Sequence, residues 1–599
     1  MMKRKSKIFT LLLSLSFISL TFLSRNVPFV QSWKTTATGV CTASEDQNTP
    51  RLISTSDGGT IIAWNDGRNL ADYDIYAQKL DAYGNVQWTV DGVTVCTFSG
   101  HQSSPQLCSD GAGGAIIVWR DYRKITDPDL YAQRIDSSGA IVWDSNGVII
   151  CNATSSQSNF DVCSDEVGGA IVVWQDDRPS FNLFDIYAQR INQDGMTLWG
   201  DNGTVVCDAN DDQQFPKLIC TTTGRIYFTW QDARAGASDL NIYAQQFNLT
   251  GHPQWPANGW GVCTYSSDQS FPNIVSDGAG SAIVTWLDYR FDPLSDIFAN
   301  KINPTGAIEW GAGGAPICTM NDSQINAQIC SDMNNGAIIV WEDRRSTLDH
   351  DLYAQRINGT GDIQWTPNGT AICTAEYEQQ GPVIISDGDS GAIIVWTDHR
   401  SNLYWNLYVQ RVLPNGTNIW GINGMAVDPV PNEDQFGQDL VLFSTGATII
   451  TWDDPRTLGD RDIWAQYHLD VEPPTSNNPS SIIYEQGTTA LIPWVLSDNA
   501  GGGYYRVKKN ESEHIPWTEW SIGEDLAVPI DTSLVGVWHY TIEYNDSRGL
   551  MGIPDTVIIT ITERPSRETI SGYSFLLISI SILGIIIIIK IKMTEGRKK

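Results

Sequence analysis

The sequence is poor in positive charge. Lys and Arg number 38 against 69 Asp and Glu in 599 residues, so the formal net charge is −31. A nucleic-acid-binding protein presents a basic face to phosphate, and this composition argues against one. Cysteine is sparse at 11 residues, far below the density of a small disulfide-stapled domain. Hydrophobic residues still make up 41 %, so a disordered chain is excluded and several folded domains fit the length.

Recognisable catalytic and metal-binding motifs are missing as well. The seven His are scattered, and the sequence has no Ser/His/Asp arrangement, no His-Glu-x-x-His, no Cys-x-x-Cys and no phosphate-binding loop. Motifs therefore predict no catalytic residue, no metal ligand and no cofactor. A glycosidase-type pair of carboxylates is not recognisable among so many acids, so a hydrolase stays open as an alternative.

Tryptophan, by contrast, is abundant, with 23 residues. Most belong to a repeat of about 55 residues, seen for example in the segment Gly113–Arg134. One Trp column consists of Trp64, Trp119, Trp174, Trp230, Trp286, Trp341, Trp396 and Trp452. The other consists of Trp33, Trp88, Trp143, Trp199, Trp255, Trp310, Trp365 and Trp420. Two positions copied eight times account for 16 of the 23 Trp, which indicates packing rather than chemistry.

Each repeat predicts four short strands separated by Gly, Asn and Asp turns. The run Ala115–Trp119 is apolar at every position, which is typical of a strand covered on both faces by stacked sheets. Four antiparallel strands stacked eight times predict an all-β fold with an eight-bladed β-propeller over residues 28–470. The last repeat lacks a fourth strand, so we expect residues 28–42 to pair with the strand near 462–468 and close blade eight.

The repeat phrases also carry a family resemblance. Gly-Gly-Ala-Ile-Ile-Val-Trp-x-Asp-x-Arg and Asp-Ile-Tyr-Ala-Gln-Arg resemble the repeats of secreted or surface microbial β-propeller proteins, of the TolB-like and sialidase-like class. The resemblance implies the fold and not an activity. The sialidase Asp-box is not matched, because Ser109-Asp110-Gly111 has a different spacing.

A second domain follows the repeats. Residues 471–479 form a Pro- and Asn-rich linker, and residues 480–563 carry strand runs at a spacing typical of an immunoglobulin-like (Ig-like) β-sandwich. The segment Tyr540–Ile561 is similar to Ig-like stalk modules of archaeal and bacterial surface proteins, without the Cys…Trp…Cys pattern of antibody domains.

Both ends of the chain predict a membrane protein. Residues 1–24 combine a basic start with an apolar run and read as a signal peptide, with an uncleaved anchor as the alternative. Ile570–Ile589 is a 20-residue uncharged stretch that predicts one C-terminal transmembrane helix. The basic tail 590–599 is then cytoplasmic, and the bulk of the chain is extracellular at the cell membrane.

Two acidic patterns recur in the repeats. An Asp and an Arg two residues apart follow each Trp of the first column, and a feature present eight times favours a structural tie between turn and neighbouring strand over an anion site. Four repeats carry Asp-x-Asp before the third strand, at 72/74, 127/129, 349/351 and 460/462. Weak Ca²⁺ binding is one interpretation of these pairs, and solvated turn acids are the other.

The cysteines fall into two columns whose co-occurrence predicts four disulfides. The pairs are Cys96–Cys108, Cys151–Cys163, Cys207–Cys220 and Cys318–Cys330. Cys41, Cys263 and Cys373 have no partner in this scheme, which favours the alternative that all are small buried side chains.

The function predicted first is a membrane-anchored extracellular protein that binds or adheres to a protein or glycan ligand. The alternatives are a propeller-type hydrolase acting on glycans and a structural component of the cell envelope. Trp260 and Trp405 lie outside the two Trp columns, so we predict them as ligand contacts, with loop packing as the alternative.

Overall fold

The computed structural model describes residues 37–124, 127–180, 183–291, 293–345, 349–428, 430, 433–443, 446–457, 459–468, 475–497, 503–520, 525–546 and 552–564. Its 40 regular elements in these ranges are all β-strands. The prediction of an all-β protein is confirmed.

Residues 38–468 form eight four-stranded antiparallel sheets. Sheet 1 contains β2 (Gln47–Ser54), β3 (Thr60–Asp66), β4 (Asp74–Leu80) and β5 (Val93–Cys96). Sheet 2 contains β6 (Gln102–Ser109), β7 (Ala115–Asp121), β8 (Asp129–Ile135) and β9 (Val148–Cys151). Sheet 3 contains β10 (Gln157–Ser164), β11 (Ala170–Ser180), β12 (Leu183–Ile191) and β13 (Thr204–Cys207). Sheet 4 contains β14 (Gln213–Cys220), β15 (Arg225–Asp232), β16 (Asn241–Asn248) and β17 (Trp260–Cys263).

The remaining four sheets repeat this order. Sheet 5 contains β18 (Gln269–Ser276), β19 (Ala282–Asp288), β20 (Asp296–Ile302) and β21 (Ala315–Cys318). Sheet 6 contains β22 (Gln324–Ser331), β23 (Ala337–Asp343), β24 (Asp351–Ile357) and β25 (Thr370–Cys373). Sheet 7 contains β26 (Gln379–Ser386), β27 (Ala392–Asp398), β28 (Asn406–Val412) and β29 (Met425–Ala426). Sheet 8 contains β30 (Phe436–Leu442), β31 (Thr448–Thr457), β32 (Asp460–His468) and β1 (Thr38–Cys41).

The sheets are arranged in a closed ring. The innermost strand of each sheet contacts that of the next, from β2 through β6, β10, β14, β18, β22 and β26 to β30, and β30 contacts β2. The first strand of the described residues completes the last sheet, because β1 runs antiparallel to β32 with Thr38 opposite Ala465. A ring of four-stranded antiparallel sheets is the architecture of the β-propeller class, so the predicted class is confirmed.

The described Trp residues of both columns pack between the sheets, and Trp33 lies outside the described residues. The Trp residues of the first column are fully buried, and the strands that carry them are covered on both faces as their sequence predicts. The described members of the second column join neighbouring sheets, as where Trp143 Nε1 donates to the Gln193 carbonyl at 2.9 Å. The Trp143 indole lies against Gly195, which has a φ of 82° and where a Cβ would meet the ring at 2.9 Å. Only glycine fits both conditions at this turn.

Residues 475–564 build a second core from two further sheets. One has the order β33 (Thr475–Ser476), β35 (Ala490–Ser497) and β38 (Asp525–Ile530). The other has the order β34 (Ile482–Glu485), β40 (Asp555–Thr562), β39 (Gly536–Asp546), β36 (Gly503–Lys509) and β37 (Ser512–Trp520). Buried side chains from both sheets, Trp494 and Tyr540 among them, belong to one hydrophobic cluster.

The predicted cell-membrane localisation is corrected by the structure. No helix in the described part of the chain is long and apolar enough to cross a bilayer. The predicted signal peptide 1–24, the apolar segment 570–589 and the tail 590–599 lie outside the described residues. An uncharged run of the right length meets the compositional condition for a transmembrane span, but a span also requires a helix. The prediction was based on composition alone.

Candidate functional site

The recurring Asp and Arg form one buried cluster per sheet with the first-column Trp. In sheet 5, Trp286 Nε1 donates to Asp288 Oδ2 at 2.8 Å, and Arg290 Nε donates to Asp288 Oδ1 at 2.7 Å. The Arg290 guanidinium also donates to the Gly313 carbonyl at 2.8 Å and lies 4.0 Å from the centre of the Phe298 ring. All eight sheets have the Trp–Asp hydrogen bond and the Asp–Arg ion pair. The structural interpretation of this motif is confirmed.

The first cysteine column belongs to the same clusters. Arg68 Nη2, for example, is 3.2 Å from Cys41 Sγ. Burial raises the pKa of the Cys41 thiol to about 12, and the thiols of the other first-column cysteines are shifted in the same direction. These cysteines are therefore protonated at neutral pH and poor nucleophiles.

The disulfide pattern differs from the predicted one. Cys163 is bonded to Cys220, which joins the innermost strands of sheets 3 and 4. The other nine cysteines are free, so none of the predicted pairs Cys96–Cys108, Cys151–Cys163, Cys207–Cys220 and Cys318–Cys330 is formed. Each predicted pair would join the outermost strand of one sheet to the innermost strand of the next. Three strand spacings amount to about 14 Å, whereas a disulfide requires Cα atoms within about 7 Å.

The inner surface of the ring is where the repeats differ. Each innermost segment is counted from its buried Gln, which is Gln47 in sheet 1 and Gln435 in sheet 8. The fifth residue of the segment is, in sheet order, Arg51, Gln106, Asp161, Lys217, Asn273, Gln328, Val383 and Asp439. Equivalent positions of neighbouring sheets meet there, since Asn273 Nδ2 donates to Gln328 Oε1 at 3.0 Å. The third residue of the segment has a left-handed backbone in every sheet and is also variable: Thr49, Ser104, Asn159, Phe215, Phe271, Asn326, Gly381 and Gly437. Symmetry does not account for these side chains, so they are the candidates for function.

A cavity of about 470 Å³ opens at this inner surface across sheets 4, 5 and 6. Phe215, Phe271 and Tyr289 supply its aromatic part, and Lys217, Asn273 and Gln328 supply its polar part. The rings of Phe215 and Phe271 are 4.9 Å apart at an angle of 52°, and 51 % of the surface of Phe271 is exposed.

The one apolar residue in an otherwise polar column of the repeat lies at this cavity. The residue after the first-column Trp often accepts a hydrogen bond from the left-handed residue of the next sheet, as Gln231 Oε1 does from Phe271 N at 3.2 Å and Glu342 Oε1 from Gly381 N at 2.8 Å. Sheet 5 has Leu287 at this position, a side chain without an acceptor, and Leu287 lines the cavity. Sequence reasoning missed this site, although the apolar Leu287 in a largely polar column was the available signal.

The acids of the inner surface tie neighbouring strands together. Asp161 Oδ2 accepts from Leu218 N at 3.2 Å, and Asp439 Oδ2 accepts from Leu52 N at 3.2 Å. Burial raises the pKa of the Asp439 carboxyl, opposed by the charge of Arg51. Asp161 and Asp439 belong to sheets 3 and 8, which are not neighbours, and the described lining of the cavity includes no carboxylate.

The two Trp residues predicted as ligand contacts lie away from this cavity. Trp260 begins the outermost strand β17 and is 45 % exposed. Trp405 is half-buried, with its ring stacked on His399 at 4.6 Å and 6.3 Å from the Phe436 ring. Neither is among the cavity's lining residues. A role in ligand binding stays a prediction for both.

The Asp-x-Asp pairs form no recognisable metal centre. Within the described ranges, no group of three His, Cys, Asp or Glu side chains is arranged to hold a metal ion. In the first pair, Asn69 Nδ2 donates to Asp74 Oδ2 at 2.8 Å. Burial, with the neighbouring charge of Asp72, raises the pKa of Asp74 to about 6. Weak Ca²⁺ binding stays a prediction.

Comparisons with known proteins give distant similarities. No family model matches the chain, and no curated protein does. A protein of unknown function from Dyadobacter fermentans is 8 % identical with a TM-score of 0.35, covering 72 % of this chain and 97 % of that one. The α-L-arabinanase of Penicillium chrysogenum is 12 % identical, and the α-L-arabinofuranosidase of Fusarium graminearum is 10 % identical. Both have TM-scores of 0.30 and the same coverage, 72 % and 97 %. Because these scores are so low, the assignment to the propeller class rests on the strand pairings of this chain.

Proposed function

We propose that this chain is a glycan-binding protein whose ligand enters the cavity across sheets 4, 5 and 6. The observation that carries the proposal is the composition of that cavity, whose lining combines a pair of aromatic rings, one of them half exposed, with a hydrogen-bonded set of amides. A volume of about 470 Å³ is within the range of small-ligand sites. A protein partner would instead need a broad contact of about 800 Å². Of the two ligand classes predicted from the sequence, the cavity therefore favours the glycan.

The aromatic pair suits the apolar face of a sugar ring. Phe271 has half of its surface uncovered, and Phe215 lies next to it. Exposed aromatic surface in a concave site is stabilised when an apolar ligand surface covers it. A sugar presents such a surface through its C–H groups on one face and carries hydroxyl groups around its edge.

The amides suit those hydroxyl groups. Asn273 Nδ2 donates to Gln328 Oε1 at 3.0 Å, Gln328 Nε2 to Asn326 Oδ1 at 3.2 Å, and Asn326 Nδ2 to Glu342 Oε1 at 2.8 Å. This chain of hydrogen bonds orients the side chains before a ligand arrives, which lowers the entropic cost of binding. Each amide keeps one further N–H and one further lone pair for a ligand.

Hydrolysis of a glycan is the second candidate, and the cavity supports it less well. Glycoside hydrolysis uses two carboxyl groups about 5–10 Å apart on either side of the scissile bond. The described lining residues provide none, and Glu342 Oε1 already accepts two hydrogen bonds behind the cavity. A purely structural envelope component would leave the exposed aromatic pair without a role.

The same proposal includes the finer description of the fold. We infer that the eight sheets are the blades of an eight-bladed propeller, with β1 closing the eighth, and that residues 475–564 are an Ig-like sandwich. The contacts from β2 around to β30 support the first, and the two sheets around one core support the second. The propeller would then be the binding unit.

A glycan array followed by calorimetry on the purified full-length chain tests the function. The expected result is binding to a defined group of oligosaccharides, with reducing ends not released on prolonged incubation. Release of reducing ends would replace binding by hydrolysis. Binding to no glycan on the array would contradict the proposal and favour the structural role.

A further inference from the structure

We infer that the saccharide bound in the cavity carries an anionic group, a carboxylate, which pairs with Lys217. The inference rests on the proposed function, because it names the class of glycan that the same cavity takes. It goes beyond that function because neutral sugars would satisfy the aromatic pair and the amides equally well.

Lys217 differs from the other described lysines of the eight sheets. Lys79 pairs with Asp57 at 2.6 Å, Lys124 with Asp129 at 3.0 Å, and Lys301 with Asp277 at 2.9 Å. Lys217 takes part in no ion pair among the described residues, although the chain carries 69 acids. It is half-buried and lines the cavity beside Asn273. Its charge is therefore free to pair with an anionic group that enters the cavity.

Neither of the neighbouring carboxylates forms an ion pair with Lys217 among the described residues. Asp161 holds the equivalent position in sheet 3, and its oxygens accept from Val162 N at 3.1 Å and from Leu218 N at 3.2 Å. On the other side of the cavity, Glu342 accepts from Asn326 Nδ2 and from Gly381 N. The Lys217 ammonium therefore has its three N–H groups available to a ligand in the cavity.

The surrounding donors suit a carboxylate in particular. A carboxylate has about four lone-pair sites and no donor, so it needs several N–H groups at once. The Lys217 ammonium and the second N–H groups of Asn273 and Gln328 are donors in the same polar part of the cavity. A sulfate ester has the same need, and the two anionic groups are distinguished by experiment.

The test is calorimetry on the full-length chain with three probes: an oligogalacturonate, the same oligosaccharide with its carboxyl groups reduced to alcohols, and a sulfated neutral oligosaccharide. We expect the acid to bind about tenfold or more tightly than its reduced form, as a charge-assisted hydrogen bond would give. In Lys217→Gln this preference is lost, whereas Lys217→Arg retains it. Arg225→Gln makes the same change of charge at the far end of the adjacent strand β15 and is expected to leave it intact. Unchanged circular dichroism and melting temperature establish that each variant is folded.

The outcomes separate this inference from the proposed function. Equal binding of the acid and its reduced form, or a preference for the acid that survives in Lys217→Gln, overturns the anionic ligand and leaves glycan binding in place. Binding of the sulfated probe alone, lost in Lys217→Gln, supports the anionic class and replaces the carboxylate by a sulfate. Binding of none of the three, together with an unresponsive glycan array, overturns both proposals.

Discussion

Replacing Phe271 by Ala tests the aromatic part of the cavity. A fully buried Phe side chain removes about 150–250 Å² from water, so the 51 % exposure of Phe271 leaves roughly 100 Å² uncovered. A sugar ring stacked on one face would cover about half of that. At about 25 cal/mol per Å² the contact contributes about 1.3 kcal/mol, which is about a tenfold weaker Kd in Phe271→Ala.

The backbone at Phe271 offers a second variant. Its φ of 51° is in the left-handed region, and the equivalent positions of sheets 7 and 8 are Gly381 and Gly437. Phe271→Gly removes the same aromatic ring and also relieves about 1 kcal/mol of backbone strain. We expect the Gly variant to lose binding as the Ala variant does while being the more stable of the two. A loss of binding caused by misfolding would instead follow stability.

Titration calorimetry with the tightest-binding oligosaccharide from the array measures the effect. Tyr83→Ala is the control, because Tyr83 is 57 % exposed in the turn after β4 and outside the cavity. An unchanged Kd in folded Phe271→Ala, or an equal loss in Tyr83→Ala, would refute the aromatic reasoning.

Three further predictions concern stability. Asp74→Asn should raise the free energy of unfolding by about 1 kcal/mol at pH 7 and leave it unchanged below about pH 3, where the carboxyl is protonated in both the folded and the unfolded state. The shift of its pKa from 3.8 to about 6 is worth about 3 kcal/mol before discounting for solvent. Because folding raises this pKa, the wild type loses stability as the pH rises from about 4 to 6. A parallel loss in the variant would contradict the assignment. Non-reducing peptide mapping should recover Cys163–Cys220, and reduction should cost up to about 4 kcal/mol, since the bond closes a loop over a separation of 57 residues. Asp288→Ala should cost about 3–5 kcal/mol in denaturant titration because Arg290 is left unpaired, and a loss below about 1 kcal/mol would show the cluster to be dispensable.

The sequence was most informative where the repeat is strict. Apolar runs such as Ala115–Trp119 predicted fully covered strands, and the regular spacing of Trp, Asp and Arg predicted their eightfold structural role. These inferences succeeded because the hydrophobic period and the burial of a strand are local properties, and the same pattern recurs in every repeat.

The sequence was least informative where segments that are far apart in the sequence come together in the fold. The spacing of the cysteines predicted a bond between Cys151 and Cys163. In the structure Cys163 is bonded to Cys220, on the innermost strand of the next sheet. The cavity was missed for a related reason. Its residues come from three different sheets, and the contrast between Leu287 and its polar equivalents has meaning only once neighbouring sheets are known to exchange hydrogen bonds there.

The pairing of β1 with β32 has a consequence for biosynthesis. Glu45 and Asp460, which share a hydrogen bond next to this pairing, are 415 residues apart in the chain. At about 5–20 residues per second, the ribosome needs roughly 20–80 s to deliver the partner strand after the first has emerged. During that interval the nascent chain carries a strand with an open edge, which must be kept from pairing with other chains until translation has passed residue 468. Closure of the ring must therefore wait until β32 has been translated. A chain whose synthesis stops before β32 lacks the strand that pairs with β1, so its ring cannot close.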